Sequence, residues 1–306
     1  MTKTVAVTGA TGFIGKHIVE ALLTKGFMVR ALTRGHHNSC DNRLAWVHGS
    51  LEDTRSLSAL VTDADYVVHC AGQVRGHTED IFTQCNVTGS LRLLQAAGLN
   101  GQCQRFLFIS SLAARHPELS WYAKSKYDAE QQLTAMAAKM GVPLGVFRPT
   151  AVYGPGDKEL KPILNGLLRG FLPQFNTPEA RLSFLHVYDL ADAVCQWLIT
   201  EPVPTGAHEL CDGIAGGYDW KHIRAIGEAV RHAPVRTVGI PLSVLKFMAR
   251  LNAATFFVSR KEPMLTPGKI RELVHLDWSA SNESLSEKMN WTPRVSLEQA
   301  LRDRLF

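Results

Sequence analysis

Long apolar runs are missing from this chain. No stretch of about 18 consecutive apolar residues occurs, so no segment qualifies as a membrane-spanning helix. Charge of one sign is scarce as well. Lys and Arg number 33 against 28 Asp and Glu, and the resulting +5 is spread along the sequence rather than gathered into runs, which excludes the basic footprint of a nucleic-acid binder. The six cysteines (Cys40, Cys70, Cys85, Cys103, Cys195, Cys211) form no CxxC pair and no Cys/His cluster of metal-ligand spacing. Reduced thiols are therefore expected, with neither a zinc site nor a disulfide framework. Internal repeats and low-complexity linkers are absent too. An apolar segment already begins at residue 4, leaving no room for a leader peptide, and a cytoplasmic protein is expected. What the chain does have is length and apolar content: 306 residues, 45% hydrophobic, suffice for one large domain or two closely associated ones.

Short apolar runs alternate with segments of helical period through the first half: TVAV, FMVRAL, LAWVHG, DYVVHC, RFLFIS and LGVFRP. This rhythm predicts an α/β fold of Rossmann type, a doubly wound parallel sheet covered by helices on both faces. After the first strand, Ile14, Ile18 and Leu22 share one helical stripe and Gly26 stands just past its end. The second half is less regular. GPGDKELKPILNGLLRGFLPQFNTPEA and everything beyond Cys211 predict a smaller, mainly helical C-terminal lobe, while FLHVYDLADAVCQWL between them reads as a strand and helix returning to the sheet.

TVAVTGATGFIGKHIVEALLTKG sets Gly9, Gly12 and Gly15 behind an apolar strand and at the mouth of an amphipathic helix. A tight turn, a close backbone approach to a pyrophosphate and close helix-to-strand packing each favour a residue without Cβ. The helix start adds free N–H groups and the positive end of its dipole. Dinucleotide binding is expected here, at Gly9, Thr11, Gly12, Phe13, Ile14 and Gly15.

The segments TGATGFIG, VVHCAG, NVTGSLRLLQAA, FRPTAVYGPGD and FLHVYDLADAV, with a weaker MNWTPRVSLEQAL, together resemble the extended short-chain dehydrogenase/reductase family, also called the NAD-dependent epimerase/dehydratase family. The likeness spans nearly the whole chain. It implies an NAD(P)-binding domain over residues 1–150 and 184–211, a substrate lobe over 151–183 and 212–306, and a cofactor contact at Ala71. NAD-preferring relatives carry an Asp at the end of the second strand, where VRALTRGHH has Thr33 followed by Arg34. A guanidinium suits a 2′-phosphate, which favours NADP(H) over NAD(H) with Arg34 as its reader. His36 and His37 adjoin it, either assisting or as plain loop residues. Ser50 stands where the family often places an Asp near the adenine.

WYAKSKYDAE offers four Tyr/Lys pairings within one helical stretch predicted to run to about Met140. Residues four apart share a helix face, which selects Tyr122 with Lys126 and leaves out Lys124 and Tyr127. This pair matches the family's YxxxK motif. A phenol titrates near pH 10, and an ammonium beside it favours the phenolate, so Lys126 is expected to tune Tyr122 for proton transfer. The resemblance further implies that Lys126 bonds the nicotinamide ribose. It also implies a hydroxyl at the preceding strand end that polarises the substrate oxygen: Ser111 by alignment, with Ser110 as the alternative. Asn86 matches a helix Asn of the family and is taken as structural.

Several departures bear on the substrate. Ala151 in RPTAVYG replaces an Asn that meets the diphosphate of nucleotide sugars, and Leu112 and Ala113 replace the acidic pair of dehydratases. The interval from Ser111 to Tyr122 is also shorter than in the sugar-nucleotide branch. In IPLSVLKFMARLNAATFF, Val244, Leu245, Phe247, Met248 and Leu251 form a broad apolar face with Lys246 and Arg250 beside it. That helix, spanning about 240–258, either faces a core, lines a greasy pocket or rests on a membrane surface. Its character is similar to the 3β-hydroxysteroid dehydrogenase-like branch, and PMLTPGKIRELVHLDW resembles a segment of bacterial reductases that act on a 3-keto group of long-chain lipids. The expectation is an NAD(P)-dependent oxidoreductase moving hydride between nicotinamide and a hydroxyl or ketone of a hydrophobic, lipid-like substrate. A nucleotide-sugar epimerase/dehydratase and a non-catalytic NAD(P)-binding regulator are the alternatives. A small-molecule partner and no nucleic acid are expected; peripheral membrane contact and a homodimer stay open.

Overall fold

The near-continuous apolar runs become strands buried on both faces, the pattern a helix-covered parallel sheet requires. The computed structural model describes residues 2–100, 102–175, 178–259 and 265–306. In chain order the first half gives β1 (Thr4–Thr8), α1 (Phe13–Thr24), β2 (Met28–Thr33), β3 (Leu44–His48), α2 (Thr54–Val61), β4 (Tyr66–His69), α3 (Glu79–Phe82), α4 (Gly89–Leu99), β5 (Arg105–Ile109), α5 (Trp121–Met140) and β6 (Leu144–Pro149). There follow β7 (Ala151–Tyr153), α6 (Lys161–Leu168), β8 (Phe171–Phe175), β9 (Arg181–Leu182), β10 (Phe184–His186), α7 (Val187–Ile199) and β11 (Gly206–Leu210). The chain ends with α8 (Trp220–Arg231), β12 (Arg236–Ile240), α9 (Leu242–Ser259), α10 (Pro267–Val274), β13 (Asp277–Trp278), α11 (Glu283–Met289) and α12 (Leu297–Asp303).

Seven parallel strands lie in the order β3-β2-β1-β4-β5-β6-β11, the doubly wound arrangement expected from the sequence. Strand order reverses between β1 and β4, and ligands of such sheets bind in the crevice outside the strand ends at that point. Ile18, Leu22, Leu190, Trp197 and Leu285 cover one face of the sheet, and Leu57, Leu60, Leu93, Leu94 and Leu133 the other. A further core gathers Leu164, Leu167, Trp220, Ile223, Leu297 and Leu301 from α6, α8 and α12.

Two expectations are corrected in detail. The FLH strand, β10, does not return to the main sheet: it pairs with β7, while β11 takes the edge beside β6. The broad apolar face of α9 is divided, because Leu245 is buried whereas Val244, Phe247, Met248 and Leu251 are exposed. The side chain of Arg250 lies outside the described residues, as do Asn176, Thr177, Pro263 and Met264 from the segments singled out above.

Candidate active site

The glycine turn is built by steric exclusion. Gly9 has φ +72, and a Cβ on it would fall 2.6 Å from the Ala71 nitrogen, so β1 and β4 approach through bare backbone. A Cβ on Gly15 would lie 2.0 Å from the Gly9 carbonyl oxygen, which accepts the Gly12 N–H at 2.9 Å. No side chain caps α1, leaving its first N–H groups open to a ligand. Gly9, Thr11, Gly12, Phe13, Ile14, Gly15, Arg34 and Ala71 all line one cavity of about 1430 Å³, which also reaches Ser111 and Tyr122. Open helix-start donors and a cradle that any Cβ would fill fit a dinucleotide. Arg34 is exposed at the cavity edge and, among the described residues, has no ion-pair partner, while Thr33 is buried and its hydroxyl accepts from Gly35 N at 3.1 Å. His36 stacks on His48 and His37 on Trp46, so both rings are engaged by neighbouring rings.

The catalytic-type residues converge from two places, α5 and the segment after β5. Ser120 caps α5, its hydroxyl accepting from Ala123 N at 2.9 Å, which puts Tyr122 in the first helical turn and Lys126 one turn deeper. Lys126 is buried; its Nζ donates to the Ile109 carbonyl at 3.0 Å and sits 4.8 Å from the Phe108 ring centre. Ser111 begins the short segment after β5, its Oγ accepting from Ala113 N at 3.2 Å, and it stands beside the Tyr122 phenol, whose ionisation it eases. Ser110 is committed elsewhere. Its hydroxyl donates to buried Glu130, which also accepts from Arg148 Nε at 3.0 Å through each carboxylate oxygen. Of the two serines, only Ser111 faces Tyr122 unencumbered by a carboxylate.

The electrostatics run opposite to the expectation from a lysine alone. Burial pushes the Tyr122 phenol up to about 12; Ser111 works against this, and the nearby Glu272 carboxylate adds to it. Lys126 does not pull the phenol down, because its ammonium points at the Ile109 carbonyl and is itself pushed down to about 8 by burial. A buried charge of this kind weakens the fold. Below about pH 8 Lys126 is protonated in both states and its desolvation is fully felt; between about 8 and the ordinary 10.5 the unfolded chain alone keeps the proton, and the penalty fades. Lys126→Met is therefore expected to raise the melting temperature at pH 7, with a gain that shrinks toward pH 10.5. Thermal unfolding of both proteins across that range checks it.

Three features of the site are visible only in the structure: the turn that holds Asn86, the Glu272 carboxylate and an apolar wall. Asn86 lies in a π-helical turn, Thr83–Thr88, between α3 and α4; it accepts from Gln73 N at 2.6 Å and donates to Ser125 Oγ at 2.9 Å, tying the loop after β4 to α5. Glu272 is a buried carboxylate that accepts from Ser120 Oγ and from Lys269 Nζ at 3.0 Å, so α10 closes over the start of α5. Arg271 Nε donates to the Leu119 carbonyl at 2.7 Å and secures the same junction. The third is the apolar wall of the cavity, where partly buried Leu160, just ahead of α6, and Ile163 of α6 meet Phe175 in front of the core residues Leu164, Leu167, Trp220 and Leu297. The i, i+3, i+4, i+7 spacing of Leu160, Ile163, Leu164 and Leu167 was visible, but a stripe facing a core and one facing a ligand look alike in sequence. Among the described residues no group of His, Cys, Asp and Glu is arranged to hold a metal, and no helix is long and apolar enough to cross a membrane.

Residues 5–206 match the model of the NAD dependent epimerase/dehydratase family. A ceramide reductase of Caulobacter vibrioides is 33% identical over 92% of this chain and 88% of its own length. A UDP-glucose 4-epimerase of Vibrio cholerae is 24% identical over 99% of this chain and 94% of its own. In fold, the chain superposes on the UDP-glucuronic acid 4-epimerase of Bacillus cereus in complex with NAD with a TM-score of 0.72 at 18% identity, covering 98% and 94% of the two chains.

Proposed function

The chain belongs to the NAD dependent epimerase/dehydratase family, and from that premise we propose that it is an NADPH-linked reductase of a ketone on a hydrophobic, lipid-like substrate. The observation that carries this reading is the apolar wall from α6, β8, α8 and α12, which runs from Tyr122 into the second lobe. Ala151, Leu112 and Ala113 put no amide or carboxylate at the places a nucleotide-sugar enzyme would use. The similarity to a ceramide reductase agrees with a lipid substrate.

Gly9–Gly15, Ala71 and Lys126 would hold the nucleotide, which when bound would supply the hydride. Tyr122, with its phenol held protonated, donates the proton to the carbonyl oxygen. Ser111 holds that oxygen by a hydrogen bond and keeps the ketone in line. Lys126 fixes the turn of α5 behind Tyr122 through the Ile109 carbonyl, Asn86 holds the Gln73 backbone, and Glu130 holds the Ser110 and Arg148 side chains. A high phenol pKa suits this direction, since reduction needs an acid at neutral pH.

The test is nucleotide oxidation followed against long-chain keto lipids, steroids and keto sugars. Turnover confined to UDP-sugars, or retention of tightly bound NAD with no net oxidation, would favour the epimerase instead. For the cofactor, Arg34→Ala is expected to lower kcat/KM for NADPH about tenfold, the loss of one charge-assisted contact of roughly 1.5 kcal/mol, and to leave NADH unchanged. Equal effects on both nucleotides would remove Arg34 as the reader of the 2′-phosphate.

A further inference from the structure

The helix α9 carries two apolar stripes where packing into a lobe uses one. Leu245 and Ala249, four positions apart, face inward onto Phe175, Ile240, Leu265, Ile270 and Val274. Val244, Phe247, Met248 and Leu251 repeat the i, i+3, i+4, i+7 spacing on another face and stand 43%, 61%, 51% and 51% exposed. Single exposed apolar residues are ordinary; four sharing one helix face form a docking surface.

The charge around this stripe says what covers it. Within α9 itself the sequence contains no Asp and no Glu. The same helix contains Lys246 and Arg250. Lys246 is exposed on the helix itself, one position from Phe247. An apolar stripe with basic neighbours and no acid complements an anionic lipid surface, where acyl chains take the stripe and headgroups take the cations. A second copy of the chain fits less well, because a two-fold contact would bring the two Lys246 ammonium groups toward each other.

We propose that α9 docks this protein on the surface of an anionic lipid bilayer through Val244, Phe247, Met248 and Leu251. The inward stripe of the same helix packs on Phe175, which lines the active-site cavity, and on α10, whose residues from Thr266 to Leu273 line it too. The docked bilayer would thus lie one helix away from the apolar wall. The docking does not depend on the reductase reading, and it is measured without turnover.

The experiment is flotation of the full chain with vesicles of phosphatidylglycerol and phosphatidylcholine, and with phosphatidylcholine vesicles alone. Co-flotation with the anionic vesicles, weakened by raising the salt from roughly 0.1 M to 1 M, is the expected result. The pair Phe247→Ser/Leu251→Ser should lose at least tenfold in partitioning, and Lys246→Glu about tenfold, with NADPH binding unchanged in both. Absence of binding to anionic vesicles overturns the proposal, as does equal binding to neutral ones or a Phe247→Ser/Leu251→Ser protein that floats like the unaltered chain. Light scattering that shows a dimer becoming a monomer in that double variant would give the face to a second copy and overturn it as well.

Discussion

Tyr122→Phe is expected to lower the rate of ketone reduction by about 10²–10⁴-fold while leaving NADPH affinity unchanged. The substitution removes one oxygen. The ring keeps its edge contact with Phe82, 6.4 Å between centroids, and α5 keeps its Ser120 cap, so neither fold nor nucleotide cradle has reason to move. What is lost is the proton donor beside Ser111 at the cavity wall. Steady-state kinetics together with NADPH fluorescence titration separates the two outcomes. A variant that retains turnover would assign the proton transfer elsewhere. The pH profile adds a check on the same group: with the phenol pushed up to about 12, reduction should show no alkaline limb below pH 9, and alcohol oxidation should climb with pH as phenolate accumulates. Glu272→Gln removes a neighbouring negative charge and is expected to move that oxidative limb to lower pH.

Sheet and cofactor end were legible because their signals are local. A buried parallel strand needs a run of apolar residues, and the glycine turn needs bare backbone at fixed intervals; Gly9 and Gly15 satisfy that need within one stretch. That Tyr122 and Lys126 share a face of α5 was legible for the same reason, while their working as a unit is what the YxxxK motif implies. The charge state of the pair was not legible. It depends on burial by distant elements and on Glu272, which arrives from α10, 150 positions further along the chain. The choice between Ser110 and Ser111 likewise turns on Glu130 and Arg148, whose ion pair exists only once α5 and β6 are packed. The place of β10 was misread because two short strands, FLH and GAHEL, competed for one sheet edge, and nothing local in FLH distinguishes pairing with β7 from pairing with β6.

The length of the substrate's apolar chain should change kcat/KM more than any cofactor-site substitution other than the loss of the cradle. Each methylene moved from water onto the wall of Leu160, Ile163, Leu164 and Leu167 is worth about 0.8 kcal/mol, or roughly fourfold. Over six methylenes that amounts to roughly three- to four-thousandfold, reached before the cavity fills and the curve flattens. The gain should appear in kcat/KM whether it is expressed as tighter binding or as better placement of the carbonyl against Tyr122 and Ser111, because both lower the same barrier from free enzyme and substrate. Ile163→Ser tests the assignment without emptying the core, since Ile163 is only partly buried. It should lower kcat/KM for long-chain ketones several-fold and leave short ones untouched, whereas a lesion in Ser111 or Tyr122 lowers both alike. A flat dependence on chain length, with Ile163→Ser silent throughout, would mean that the apolar wall is core and that the ketone is recognised by polar contacts instead.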